Sequence, residues 1–182
     1  MMELCFDEIP SAIGTVLLVT EGARLCALDY VGYEQRMTDL LKLRYGNFCL
    51  KKSPDPCGFS SRIRAYLCGE YRTLDEILVS TGGTPFQQGV WAALRTIPPG
   101  TVMTYSEMAA QLGQPRAFRA VGAANALNPI AIVVPCHRLV GTNGSLTGYA
   151  GGLERKRWLL EHEGVNVERI GKNYNALRRV QL

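Results

Sequence analysis

Histidine is almost missing from this chain: there are two in 182 residues, His137 and His162, both in the last third. A zinc site in the first half would have no imidazole to draw on. The six cysteines, Cys5, Cys26, Cys49, Cys57, Cys68 and Cys136, nowhere show C-x-x-C spacing. Neither a metal cage nor a disulfide framework is expected, and the thiols are read as reduced. No apolar run approaches the ~20 residues of a membrane span. The N-terminus places Glu3, Asp7 and Glu8 where a secretory signal carries basic residues. A cytoplasmic protein without membrane segments is expected. Internal repeats and low-complexity tracts are also lacking.

What is present is an ordinary globular composition. Hydrophobic residues make up 47% and charged residues 20%, enough for a sizeable core in one domain or two small ones. The net charge of +4 is unevenly spread. Residues 1–83 hold 9 Lys/Arg against 11 Asp/Glu, and residues 84–182 hold 11 against 5. The basic half contains Cys136. A basic surface around a nucleophile points to a polyanionic substrate; an uneven but inert surface is the other reading.

The first half reads as a small α/β domain over residues 1–80. Ile13–Thr20 and Ala23–Tyr30 are β-rich runs around Glu21-Gly22, a hairpin signal. Glu34–Tyr45 has helical spacing, with Met37, Leu40, Leu41 and Tyr45 on one side. Phe59–Leu67 is a second predicted helix. Ser80 to Pro85 is polar and glycine-rich, a natural linker. Residues 84–170 form a mainly helical second domain, and 171–182 are expected to be a mobile basic tail. Within the second domain, helices are predicted at Phe86–Ile97, Tyr105–Leu112, Arg116–Leu127 and Leu153–Glu163. The second and third are joined by Gly113-Gln114-Pro115, the pattern of a helix-turn-helix. An apolar strand, Ile130–Val134, is expected to lead to Cys136.

On the third of those helices, Arg119, Gly122, Ala123 and Ala126 share a face at i, i+3, i+4 and i+7. Major-groove readers need several long polar side chains, and this face has one cation. A smooth Gly/Ala surface instead allows close backbone approach to a minor groove, with Arg119 as wedge or phosphate clamp. Small residues also permit close helix packing, which is the alternative.

Pro135-Cys136-His137-Arg138 ends the apolar run at a nucleophile and a base. A thiol near its ordinary ~8.5 is only a few per cent thiolate at neutral pH, so it needs a proton acceptor. In an extended segment neighbouring side chains point apart, so a water between Cys136 and His137 is expected. Glu163 falls between Leu159 and Leu160 inside the apolar stripe of the last helix. A buried carboxylate needs a partner, and the relay Glu163, His137, water, Cys136 follows the general triad logic.

Together with Gly82-Gly83-Thr84-Pro85-Phe86, Pro98 to Tyr105, Arg119-Ala120-Val121-Gly122, Asn128-Pro129, Ile132 to Arg138, Gly148-Tyr149-Ala150-Gly151-Gly152 and Leu159 to Gly164, these residues resemble the O6-alkylguanine-DNA alkyltransferases, also called methylated-DNA–protein-cysteine methyltransferases. The motifs run in family order over residues 82–164, and Pro-Cys-His-Arg is the most specific. The chain is most similar to the stand-alone bacterial type.

The resemblance implies an α+β fold, with a ribonuclease H-like N-terminal domain and a C-terminal domain carrying a winged helix-turn-helix-like motif. It implies a monomer that acts on double-stranded DNA carrying O6-alkylguanine, and on O4-alkylthymine as well. Cys136, His137, Glu163, Asn128 and Tyr105 would be the catalytic set. Arg119, Gly122, Ala123, Ala126 and Tyr105 would meet DNA. Tyr149, Ala150, Gly151, Leu139 and Ala131 would line the alkylguanine pocket, and Arg138 would tie strands together. The damaged base is itself the alkyl donor, so no cofactor is expected. Ala131 stands where some relatives have proline, which predicts tolerance of alkyl groups larger than methyl. Some relatives bind zinc in the N-terminal half; Cys5 and Cys26 are present here without a histidine, so that site is not carried over. A thiol hydrolase and a lesion-binding module without alkyl transfer are the competing readings.

Overall fold

The structure, a computed structural model, describes residues 1–170. The expected basic tail at 171–182 lies outside the described residues. The chain divides into two units, Met1–Thr84 with Asn128–Val133, and Pro85–Leu127 with the chain from Val134 onward. The short segment 128–133, expected in the second domain, therefore groups with the first.

Unit 1 is built on four strands, β1 (Met2–Ile9), β2 (Val16–Glu21), β3 (Arg24–Tyr30) and β4 (Phe48–Lys52), in the order β3-β2-β1-β4. The β2–β3 hairpin turns at the expected Glu21-Gly22, with a register shift between Val19 and Thr20. β1 joins β2 antiparallel and β4 parallel. Successive side chains alternate faces along a strand. On β2, Leu17 and Val19 pack with Leu4, Cys26 and Ala27 against Met37 and Leu41 of helix α1 (Glu34–Tyr45). Val16, Leu18 and Thr20 on the opposite face are also buried. Helix α2 (Phe59–Leu67) packs on β1. Both helices have the predicted bounds.

Two of these four strands were not expected. β1 alternates acidic and apolar residues too unevenly to give a clean period of two, and β4 is a largely exposed edge strand. Each exists through a partner distant in sequence, which a local pattern does not contain.

The edge of β3 is covered at two points. Leu25 bridges Val79, and Leu28 bridges Ile130 of the 128–133 segment. There the Leu28 N–H donates to the Pro129 carbonyl at 3.0 Å, and the Ala131 N–H to the Leu28 carbonyl at 2.9 Å. Arg36 of α1 pairs with buried Asp29 at 2.5 Å and donates to the Asn128 carbonyl at 2.9 Å. The segment is thus a strap fixed to unit 1.

Unit 2 opens with helix α3 (Pro85–Leu94), whose first position is the proline that favours a helix start. It ends three residues short of the expected Ile97. Strand β5 (Met103–Thr104) leads into helix α4 (Tyr105–Gln111), capped by Thr104 and Glu107 in a reciprocal capping box. Helix α5 (Phe118–Ala126) follows after a turn. That turn is a Schellman motif: Gly113 at φ 72 donates to the Ala110 carbonyl, and Gln114 to that of Ala109, both at 2.9 Å. Strand β6 (Leu139–Val140) pairs parallel with β5, and helix α6 (Leu153–His162) closes the unit.

The apolar run Ile130–Val134 is not a strand. After the single bridge at Ile130, Val133 donates to the Ala131 carbonyl at 2.7 Å around Ile132, whose φ is 67°. That is a three-residue turn in the left-handed region, unusual for a β-branched residue and costing about 1–3 kcal/mol. A second tight turn follows at Pro135 (φ −80, ψ 65), where Cys136 donates to the Val134 carbonyl at 2.8 Å. Cys136–Arg138 is then one turn of 3-10 helix. The opposite-faces argument for Cys136 and His137 therefore does not apply, because the segment is coiled rather than extended.

Candidate active site

Cys136, the expected nucleophile, sits where the chain turns twice and then starts a helical turn. Cys136 is 4% exposed, and His137 is fully buried beside it in sequence. The Cys136 carbonyl accepts from the Leu139 N–H and, at 3.4 Å, from the side-chain amide of Asn125 on α5. Asn125 was not singled out in the sequence, and its other polar atom, Oδ1, is buried with no hydrogen-bond partner among the described residues.

Glu163 is fixed by the end of α6. Gly164 at φ 86 donates to the Glu161 carbonyl and Val165 to that of Leu160, both at 2.9 Å, a Schellman cap that makes Glu163 the cap residue. Val165 and Leu160 also share an apolar cluster with Val140 and Ile170, which seals the cap. The carboxylate so placed meets His137 Nε2 at 2.9 Å through Oε1. Arg138 forks onto it, with Nε 3.0 Å from Oε2 and a terminal nitrogen 2.8 Å from Oε1. The Gly100 amide lies 3.4 Å from Oε2. Arg138 also donates to the Ile97 carbonyl. It was expected to tie strands together; among the contacts seen, it ties the carboxylate to the end of α3.

These contacts set the protonation states. Burial works against the charged form of Glu163, but hydrogen bonds and charge from His137 and Arg138 outweigh it and hold the carboxyl well below the usual range. Burial lowers His137, and the pull of Glu163 in the other direction does not restore it. The imidazole is neutral at neutral pH. An ionised Glu163 can only accept, so the proton lies on Nε2. Nδ1 then carries a lone pair, and it has no hydrogen-bond partner among the described residues. A neutral base aligned by a carboxylate is what a thiol needs to lose its proton.

Tyr105 begins α4, and its hydroxyl donates to the carbonyls of Thr147 and Gly148 at 3.3 and 3.4 Å. Burial and the charge of Cys136 push its phenol up, so it stays a neutral donor. The ring lies 3.9 Å from where a side chain on Gly122 would begin. On α5 the expected face is outermost: Arg119, Ala123 and Ala126 are exposed and Gly122 half-buried, while Val121, Ala124 and Asn125 are buried. The Trp91 indole of α3 donates to the Ala124 carbonyl at 2.9 Å and anchors the helix from behind.

Tyr149 and Ala150 are half-buried, and Gly151 and Leu139 buried. All belong to the same unit as Cys136. Asn128 and Ala131 do not; they lie in the strap of unit 1, where Asn128 Oδ1 accepts from the Ile130 N–H at 3.0 Å and Ala131 is buried. Among the described residues, no three His, Cys, Asp or Glu side chains stand together to hold a metal ion, and no helix is long and apolar enough to cross a membrane.

Sequence reading also missed Lys156, which is fully buried on α6. The signal was available: Lys156, Leu159, Leu160 and Glu163 occupy i, i+3, i+4 and i+7 of one helical stripe. A lysine there was as anomalous as the glutamate.

A helix-turn-helix in the same unit as a buried cysteine, followed in sequence by a carboxylate-aligned imidazole, is the arrangement expected of a nucleic-acid-binding protein that reacts through a thiol. Comparison with known proteins makes this specific. Residues 85–165 match the family described as 6-O-methylguanine DNA methyltransferase, DNA binding domain. The methylated-DNA–protein-cysteine methyltransferase of Salmonella typhimurium is 48% identical over 167 residues, covering 90% of this chain and 98% of its own. The crystal structure of Mycobacterium tuberculosis O6-methylguanine methyltransferase superposes with a TM-score of 0.74 at 41% identity, covering 88% of this chain and 92% of that one. The same organism's OGT in complex with DNA gives 0.70 at 35% identity, covering 93% and 99%. The chain belongs to the methylated-DNA–protein-cysteine methyltransferase family.

Proposed function

We propose that this protein repairs DNA by direct reversal, moving an alkyl group from O6 of guanine, and from O4 of thymine, onto Cys136. The observation that carries the reading is His137, adjacent in sequence to Cys136, locked by Glu163 and with no hydrogen-bond partner at Nδ1 among the described residues. Relatives named for this chemistry, one of them solved with DNA, support it.

A nearly buried sulfur cannot reach a base inside a duplex, so the lesion must leave the stack. Extrusion costs a few kcal/mol, least for a base that already pairs poorly. The smooth face of α5 enters the minor groove, and Arg119 fills the vacated place. Asn128 fixes the turn from which the chain runs on to Cys136. Tyr149, Ala150 and Gly151 receive the guanine.

His137 takes the thiol proton through a water, and the thiolate attacks the alkyl carbon. The S–C bond forms as the C–O6 bond breaks, and the electron pair leaves with guanine. Tyr105, a neutral donor, and the Ala150 amide stabilise that charge. The product is a thioether, which has no carbonyl for water to attack, so each molecule reacts once. Incubation with a duplex containing O6-methylguanine is expected to add one methyl group per protein by intact mass, with Cys136→Ala unreactive. Turnover without a mass change would indicate a thiol hydrolase. Binding without a mass change would indicate a lesion-binding module.

A further inference from the structure

The most anomalous side chain outside the relay is Lys156. It is fully buried, among the largest side chains so enclosed. Its ammonium donates to the carbonyls of Leu139 and Thr147, each at 2.6 Å, and to that of Gly148 at 3.5 Å. Leu139 follows the nucleophile turn directly. Thr147 and Gly148 precede Tyr149, Ala150 and Gly151. Those last two acceptors are also the ones that hold the Tyr105 hydroxyl. One cation therefore joins three parts of the chain: the exit from Cys136–Arg138, the loop before the pocket, and, through shared carbonyls, the phenol of α4.

A lysine is not needed for packing here. Burying an ammonium is costly unless every proton finds an acceptor, and a leucine or methionine would fill the stripe beside Leu159 and Leu160 without that cost. Three carbonyl dipoles turned toward one point would in turn repel one another without a cation at their centre. The arrangement suits a part that must be held in one place.

We propose that Lys156 is a positioning residue for alkyl transfer, whose buried ammonium clamps the Leu139, Thr147 and Gly148 carbonyls and thereby fixes the pocket loop and Tyr105 relative to Cys136. The proposal rests on the function argued above and adds to it a charged residue outside the Cys–His–Glu relay. Burial brings the lysine down to about 8, while the negative charge of the Cys136 thiolate acts in the opposite direction. The groups that sense it are Cys136 and His137 on the nucleophile turn and, through the shared carbonyls, Tyr105 on α4. Raising the pH should therefore work two ways, favouring the thiolate and then releasing the clamp.

The test compares wild type, Lys156→Met and Lys156→Arg in single-turnover transfer from O6-methylguanine duplex, alongside DNA affinity and amide hydrogen exchange. Lys156→Met is expected to slow transfer on the order of tenfold to a hundredfold, as misplacement of a reacting geometry does. It should leave DNA affinity unchanged and speed exchange across residues 147–151 while α3 keeps its protection. The wild-type rate should fall above about pH 8, at the point where the ammonium loses its proton. Lys156→Arg, which keeps its charge, should carry that fall to higher pH. Transfer by Lys156→Met at the wild-type rate, or alkaline limbs that coincide in wild type and Lys156→Arg, would overturn the proposal. If Lys156→Met does not fold, the comparison of the two alkaline limbs decides alone. If wild type transfers nothing, the function itself fails, and exchange over 147–151 still decides whether the clamp exists.

Discussion

His137 Nε2 stands 2.9 Å from Glu163 Oε1, with both side chains wholly out of solvent, and Arg138 grips the same carboxylate from another side. His137 is therefore part of a buried ionic network rather than a surface histidine, and disturbing the network should affect both stability and the proposed reaction.

Glu163→Gln should show this directly. Removing the anion leaves the Arg138 guanidinium buried without a counter-charge, at a cost of about 3–5 kcal/mol. It also frees the tautomer of His137, so alkyl transfer should slow even in the folded fraction. Chemical denaturation and single-turnover kinetics at one temperature check the two effects separately.

Acid should destabilise the protein in two stages. His137 is lowered from its ordinary 6.5, so below that pH the unfolded chain takes up a proton that the folded one refuses. Stability present above pH 6.5 is lost as pH falls below it toward the lowered folded-state value. Glu163, also lowered, adds its own loss below its ordinary 4.5. Between pH 7 and 5, wild type should lose stability through this histidine, and His137→Gln should lack that part of the slope. Urea denaturation at the two pH values measures it.

Gly122→Ala should separate folding from binding. The added methyl would meet the Tyr105 ring at 3.9 Å, an ordinary contact. Alanine in a helix interior is favoured over glycine by about 1 kcal/mol, so the variant should melt higher. Its smooth face would be one methyl thicker, and DNA affinity should fall. A rise in melting temperature with undiminished DNA binding would remove α5 from the interface.

Arg119→Ala should slow repair in duplex more than in single-stranded oligonucleotides, because only a duplex has a stack to refill. Equal losses on both would deny it the wedge role. Binding of wild type should also weaken with added salt, and less steeply in the variant if the guanidinium meets a phosphate.

The chemistry of the site was legible because its parts are local. Cys136-His137-Arg138 are consecutive, and Glu163 betrays itself by lying in an apolar stripe. Helices α1 and α2 were readable for the same reason, since 3.6-residue periodicity and glycine stops are written over a dozen residues. Ile130–Val134 misled because five apolar residues describe burial and not conformation; the left-handed φ of Ile132 lies between the bridge to Leu28 and the turn at Pro135, neither of which an apolar run records. β1 and β4 depend on each other across more than forty residues. Lys156 was written in the stripe as clearly as Glu163, but its three acceptors are backbone carbonyls, which no side-chain motif records.

The strap has a practical corollary. Severing the chain at its polar linker would not release two self-sufficient pieces, because the C-terminal fragment would keep Asn128–Val133 while losing β3, against which Ile130 is bridged. Such a fragment would present Ile130, Ile132 and Val133 as a sticky hem just ahead of Cys136. A soluble minimal enzyme would have to be engineered by rewriting that hem, not merely by trimming the N-terminus.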